Sequence, residues 1–178
     1  MPNIVLVGFM GTGKSSVGKK LAYKLRRRLV NTDDLIERKT GMVIGDIFRQ
    51  KGESYFRRKE REVIKEVSRL DDVVIDAGGG VVINEENIRD LKENGIIFCL
   101  NADAETILRR TRHESHRPLL NVENPLLEIK RLLGQREKYY KRADYQIDTS
   151  GKSIEEVAAR IIEIVNAQRG RLLNRDVG

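Results

Sequence analysis

Short apolar runs punctuate the chain at Asn3 to Val7, Leu29-Val30, Val73 to Ile75, Ile96 to Leu100 and, more weakly, Tyr145 to Ile147. They are apolar at consecutive positions, as strands buried on both faces of a parallel sheet are. Between the runs the period changes. Val17, Leu21 and Leu25 recur at helical spacing after the first run, and Val157, Ala158, Ile161, Ile162 and Val165 mark one face of a later helix. Helix ends are readable too. Asn84 can cap a helix that Asn94-Gly95 closes. Asp103 can cap Ala104 to Arg110, and Asn124-Pro125 opens a helix from Leu126 to Arg142. Ser153-Ile154-Glu155-Glu156 reads as a capping box. The polar tail from Arg169 to Gly178 is expected to fray. Strands alternating with helices predict an α/β fold on a mainly parallel sheet. No repeat, low-complexity tract or linker divides it.

Composition narrows the picture. The chain has 178 residues, 39% hydrophobic and 34% charged, which suits one folded domain with a core of its own. No apolar stretch approaches the roughly 20 residues that cross a membrane, and Met1-Pro2-Asn3 carries no basic leader region. The single Cys99 excludes an internal disulfide or a cysteine zinc cluster, and His113 and His116 are too few for most histidine metal sites. A reducing cytoplasm is the expected compartment. The net charge of +7 points to anionic partners. Four Phe and five Tyr, with no Trp, offer no platform for stacking bases. Basic residues alternate with acids, as in Arg58-Lys59-Glu60-Arg61-Glu62, and Arg26-Arg27-Arg28 reads as solvated. A nucleic-acid-binding regulator would need a coherent basic face, which this pattern does not supply.

The strongest local signal is Gly8-Phe9-Met10-Gly11-Thr12-Gly13-Lys14-Ser15. It matches G-x-x-x-x-G-K-[ST] at every fixed position, between a predicted strand and a predicted helix. Glycines let such a loop turn its N–H groups inward around phosphate oxygens, and the helix adds its positive N-terminus. Lys14 would reach the β- and γ-phosphates, and the Ser15 hydroxyl would ligate Mg²⁺. The loop implies a nucleoside triphosphate and magnesium, but not the acceptor.

Three further clusters stand out, the first two at the ends of predicted strands. Asn31-Thr32-Asp33 ends the second strand, at the edge where open parallel sheets place their ligands. Asp33 there could accept a proton from a substrate hydroxyl or orient it. Spacing alone leaves this role and that of a helix cap equally open. Asp76-Ala77-Gly78-Gly79-Gly80 follows the third strand. Asp76 fits a carboxylate that holds Mg²⁺ through water, and three glycines permit close approach to a ligand. The same residues fit a D-x-x-G pattern, but no guanine-reading Asn-Lys-x-Asp exists. The third cluster is arginines, Arg57, Arg110, Arg117 and Arg136 among them, whose forks suit carboxylates and phosphates. Arg117 lies in an irregular stretch from Thr111 to Asn124 that reads as a lid.

Taken in order, these residues resemble the shikimate kinases, small P-loop enzymes of aromatic amino-acid biosynthesis. Carrying the likeness are Gly8 to Ser16, Thr32-Asp33, Ile36-Glu37, Thr40-Gly41, Ile47-Phe48, Gly52-Glu53, Phe56-Arg57, Glu60, Gly78-Gly79-Gly80, Arg117-Pro118-Leu119-Leu120, and Arg136 with Tyr139-Tyr140. The resemblance implies a P-loop NTPase three-layer sandwich, a five-stranded parallel sheet in order 2-3-1-4-5 flanked by helices. It implies one kinase domain over residues 1–178, with an acceptor-binding segment at about 33–61 and a lid at about 111–124. ATP, with Mg²⁺, would phosphorylate the 3-hydroxyl of shikimate, in a cytoplasmic monomer without nucleic-acid or membrane partners.

By the same likeness Lys14, Asp33 and Arg117 are catalytic, with Asp33 the candidate base and Arg117 closing over the phosphates. Gly11, Thr12, Gly13, Lys14, Ser15, Ser16, Arg110, Arg117 and Lys152 would hold ATP, Arg110 by stacking on adenine. Asp33, Arg57, Gly78, Gly79, Gly80 and Arg136 would hold shikimate, the two arginines clamping its carboxylate. Ser15 and Asp76 would serve the metal. One departure is Asn31, where the family usually carries the first Asp of Asp-x-Asp, near the metal's water shell. An amide brings hydrogen bonds there but no charge. A gluconate kinase is the alternative within enzymes, since gluconate is also a hydroxylated carboxylate.

Overall fold

The first apolar run forms β1 (Asn3–Gly8), buried at every residue. The structure is a computed structural model, and its described residues are 1–112 and 122–173. β1 is followed by α1 (Lys14–Leu25), β2 (Arg28–Asn31), α2 (Thr32–Thr40), α3 (Ile44–Lys51), α4 (Glu53–Val67) and β3 (Val73–Asp76). After a 3₁₀ turn at Val81–Ile83 come α5 (Glu85–Glu93), β4 (Gly95–Asn101), α6 (Ala104–Thr111), α7 (Pro125–Tyr140), β5 (Tyr145–Asp148) and α8 (Ile154–Leu173). The strands form one sheet in the order β2-β3-β1-β4-β5, and every pairing is parallel.

The consecutive apolar residues of the strands divide between two cores. Ile4 and Leu6 of β1, Val74 of β3, and Ile96, Phe98 and Leu100 of β4 pack with Val17 and Leu21 of α1 and Val157, Ala158 and Ile161 of α8. Val5, Val7, Ile75, Ile97 and Cys99 point to the opposite face, against residues of α2 to α7. Three layers follow from this alternation, with a side-chain period of two that leaves neither sheet face to water.

Most helix ends lie where the capping signals put them. Asn84, Asp103 and Asn124 accept from the N–H groups of Glu86, Thr106 and Leu127. Ser153 and Glu156 cap each other reciprocally. α5 closes where Asn94-Gly95 placed its end, with Asn94 as its C-cap and Gly95 opening β4. Three expectations need correction. α7 stops at Tyr140 rather than Arg142, and α8 runs to Leu173, into the tail expected to fray. Arg27 is not solvated. It is 8% exposed, pairs with Asp72 at 2.8 Å and donates to the Pro2 carbonyl at 3.0 Å, tying the start of the chain to the sheet edge. Among the described residues no helix is long and apolar enough to cross a membrane.

Candidate active site

The carboxyl ends of the strands open onto a cavity of about 610 Å³. The loop from Gly8 to Gly13 forms one wall. Gly13 takes φ 92°, in the left-handed region, so that α1 starts sharply beneath the loop. No side chain caps α1 and its first turn holds no acid, which leaves its N–H groups and dipole to an anion. The loop closes on the Phe9 carbonyl, which accepts from the Thr12 hydroxyl at 2.7 Å and from Lys14 Nζ at 3.1 Å. Lys14 also donates to the Gly8 carbonyl at 2.9 Å.

Opposite the loop, the ends of β2 and β3 are laced together. Asn31 Nδ2 donates to Asp76 Oδ2 at 3.2 Å, and the Gly78 N–H donates to the buried Thr32 hydroxyl at 3.1 Å. The helix cap is Asn31, not Asp33: its Oδ1 accepts from the N–H groups of Asp33 and Asp34. Asp33, in the first turn of α2, therefore has its carboxylate available to the cavity it lines. Burial pushes the Asp33 carboxyl up to about 6, against the pull of Lys14; the charges of Asp76, Asp34 and Glu37 add to the rise. Asp76 is also raised by burial, with the Ser15 hydroxyl and Lys14 working the other way.

The three glycines after β3 each press against the site. A Cβ on Gly78 would lie 2.7 Å from Asp33 Oδ1, and one on Gly80 would lie 2.3 Å from Arg57 Nη1. One on Gly79 would meet the Gly8 carbonyl at 2.9 Å. The glycines thus make room for the site's own side chains and for the phosphate loop. Arg57 is held by its own helix, donating from Nη1 to both oxygens of Glu60 and from Nε and Nη2 to Glu53. Burial works against the guanidinium charge, but the two glutamates outweigh it and hold Arg57 above its ordinary value. Glu60 itself is 2% exposed, and burial raises its carboxyl despite Arg57. Arg136 of α7 lies over the Phe9 ring, 5.5 Å from its centroid, and makes no ion pair among the described residues.

At the far end Arg110 lines the same cavity while fastening its walls. It donates to the Thr149 hydroxyl and carbonyl at 3.0 and 2.8 Å and to the Gly11 carbonyl at 3.3 Å. The buried Thr149 in turn donates toward the Thr12 carbonyl at 3.1 Å. Lys152 Nζ donates to the Asp148 carbonyl, and Ile154, partly exposed, completes this end.

A family model described as Shikimate kinase matches residues 10–166. The chain belongs to the shikimate kinase family. Its relatives agree. A shikimate kinase of Caldanaerobacter subterraneus subsp. tengcongensis is 48% identical over 171 residues, covering 96% of this chain and all of that one. One from Thermodesulfovibrio yellowstonii is 51% identical over 163 residues, or 92% of this chain and 94% of the relative. The solved shikimate kinase from Acinetobacter baumannii in complex with shikimate is 38% identical, with a TM-score of 0.89 and 94% of each chain covered. The resemblance drawn from the motifs and the 2-3-1-4-5 sheet therefore hold, and the gluconate kinase alternative is set aside. Members of this family are ATP-dependent phosphotransferases.

Within this shikimate kinase fold, one cavity collects Gly11, Thr12, Gly13, Lys14, Ser15, Ser16, Asp33, Arg57, Asp76, Gly78, Gly79, Gly80, Arg110, Arg136 and Lys152. Arg117 and most of the expected lid lie outside the described residues. Sequence reading gave no site role to Glu60, Thr32, Thr149 or Ile154. Glu60 had a signal: Phe56, Glu60, Val63, Ile64 and Val67 share the buried face of α4 at helical spacing. Thr149 had none, because its partners Arg110, Thr12 and Asn101 come from distant parts of the chain.

Proposed function

We propose that this chain transfers the γ-phosphoryl group of ATP to the 3-hydroxyl of shikimate, acting with Mg²⁺ as a cytoplasmic monomer without nucleic-acid or membrane partners. The observation that carries this is one cavity lined together by the phosphate loop at the uncapped start of α1, the half-buried carboxylate of Asp33, and Arg57 and Arg136. The chain is read as a single kinase domain, residues 33–61 forming the acceptor segment. Lys14 exchanges its loop carbonyls for the β- and γ-phosphate oxygens. Asp33 orients the acceptor hydroxyl and takes its proton. Arg57, braced by Glu53 and Glu60, and Arg136 clamp the acceptor carboxylate. Arg110 flanks the base. Transfer through a loose transition state is mostly positioning and charge neutralisation, so this cationic frame matters more than base strength.

The residues present fit a magnesium ion. Among the described residues no cluster of three or more acidic, His or Cys side chains could cage a metal. Mg²⁺ characteristically takes one or two protein oxygens and completes its shell with water and substrate phosphates. Ser15 and Asp76, both on the cavity wall, are such a donor pair. When bound there, the ion neutralises charge on the β- and γ-phosphates.

ADP release with ATP and Mg²⁺, offered shikimate or gluconate, tests the reading. Release with shikimate alone is expected; release with gluconate alone overturns it. Arg57→Ala and Arg136→Ala should each raise the Km for shikimate by about 30- to 1,000-fold, the equivalent of roughly 2–4 kcal/mol from an underpaired carboxylate. The Km for ATP should change little, and equal losses for both ligands would remove the clamp assignment.

The glycines allow a finer test. In Gly80→Ala the new methyl displaces the end of a flexible side chain, Arg57. The protein should fold and lose acceptor affinity. Gly78→Ala displaces Asp33 and should lower turnover instead, by up to about 100-fold if the carboxylate moves by 1 Å. Steady-state kinetics on both variants separates the two effects.

A further inference from the structure

Asn31 ends β2, and its side chain is engaged at both ends. Oδ1 accepts from the main-chain N–H of Asp33 at 2.9 Å and of Asp34 at 3.1 Å, which starts α2. Nδ2 donates to Asp76 Oδ2 at 3.2 Å across the β2–β3 pairing, where Asn31 and Asp76 are register partners. The combination is specific to an amide. A carboxylate could cap α2 but has no proton for Asp76. A serine hydroxyl could cap it too, but its arm is too short to serve both partners. The two ends belong to different halves of the reaction. One fixes the backbone of Asp33, on the acceptor side. The other holds Asp76, which lines the same cavity as Ser15 of the phosphate-loop helix and whose charged form the Ser15 hydroxyl favours.

We propose that Asn31 is a positioning residue that locks the Asp76 carboxylate in place relative to Asp33, so that magnesium meets one carboxylate already oriented by an amide. The proposal rests on the reading of Ser15 and Asp76 as the metal-holding pair. It gives the amide a job that charge could not do. Before the metal arrives, Asp76 has a donor, and the free protein needs no cation to keep Asp33 and Asp76 side by side. A carboxylate at this position would lose the donor and add a negative charge beside both. Outer partners of metal ligands commonly alter metal affinity by about 10- to 100-fold.

The test reads binding and stability rather than turnover. ADP affinity is measured by calorimetry with and without Mg²⁺, and thermal midpoints are measured with and without Mg²⁺ alone. N31S keeps a capping oxygen but loses the donor to Asp76. It should fold normally and bind metal-free ADP as the parent does, while the Mg²⁺-dependent gain in ADP affinity falls about tenfold. N31D should melt lower than the parent without metal and be restored by Mg²⁺ alone, which leaves the parent's midpoint unmoved. D76N provides the control. If D76N loses the Mg²⁺-dependent gain and N31S keeps it, Asn31 is a helix cap only and the proposal is overturned, with the metal reading intact. If D76N keeps the full gain, the metal reading itself fails, and the proposal with it.

Discussion

Lys14→Ala is expected to lower turnover by about 10²- to 10³-fold, roughly 3–4 kcal/mol of transition-state stabilisation, in a protein that still folds. The lysine opens the helix beneath the phosphate loop and lines the cavity, and its ammonium replaces water around the γ-phosphate only once nucleotide is bound. Without nucleotide it donates to the Gly8 and Phe9 carbonyls. The loop does not depend on it, because Thr12 also holds the Phe9 carbonyl. A melting curve close to that of the parent, together with the loss of ADP release, is the expected pair of observations. The variant has a second signature. Lys14 is the chief group favouring the charged form of Asp33, so its removal moves that carboxyl further above its value of about 6. What activity remains should therefore need a higher pH. Near-normal turnover in this variant would overturn the phosphate-loop assignment.

What could be read from sequence was local, and what could not was built by contacts between distant residues. The phosphate loop is contiguous, and its chemistry fixes both residue types and spacing. β1, β3 and β4 announce themselves because each is buried on both faces, whereas the edge strands β2 and β5 are only partly buried and signal more weakly. Asn84, Asp103, Asn124 and Ser153 cap helices within three residues of themselves. Arg27 shows the limit. Beside Arg26 and Arg28 it looks like surface charge, and only the approach of Met1, Pro2 and Asp72 buries it. Glu60 was hidden by its charged neighbours, although its helical phase with Phe56 and Val63 places it inward. The triple glycine pointed to a close approach but not to what approaches. Asp33 and Arg57 reach it from other elements, across the β2–β3 register and the α2–α4 layer. Asn31 carries the same lesson. Its capping role is local, whereas its bond to Asp76 exists only because β2 pairs with β3.

Asp33→Asn is expected to lower kcat by about 10²- to 10⁴-fold, the usual contribution of a positioned base, and to flatten the acid side of the pH profile. The amide has nearly the same shape and still accepts a hydrogen bond from the acceptor hydroxyl, so shikimate binding should change much less than turnover. Burial is the largest influence on Asp33 and favours the neutral acid; Lys14 opposes it, and Asp76, Asp34 and Glu37 reinforce it, leaving the carboxyl at about 6. A base acts deprotonated. In the parent enzyme kcat/Km for shikimate should therefore be level above about pH 7 and fall about tenfold per pH unit well below 6. Because kcat/Km reports groups of the form that captures the substrate, the limb belongs to the enzyme before shikimate binds. In Asp33→Asn no group remains at that position to titrate, and the residual activity should be flat through the same range. An acid limb that survived in this variant would assign the titration to another group, such as Glu60, whose carboxyl burial also raises. Glu60 acts on the acceptor only through Arg57, so its protonation would appear as a rising Km for shikimate rather than a falling kcat.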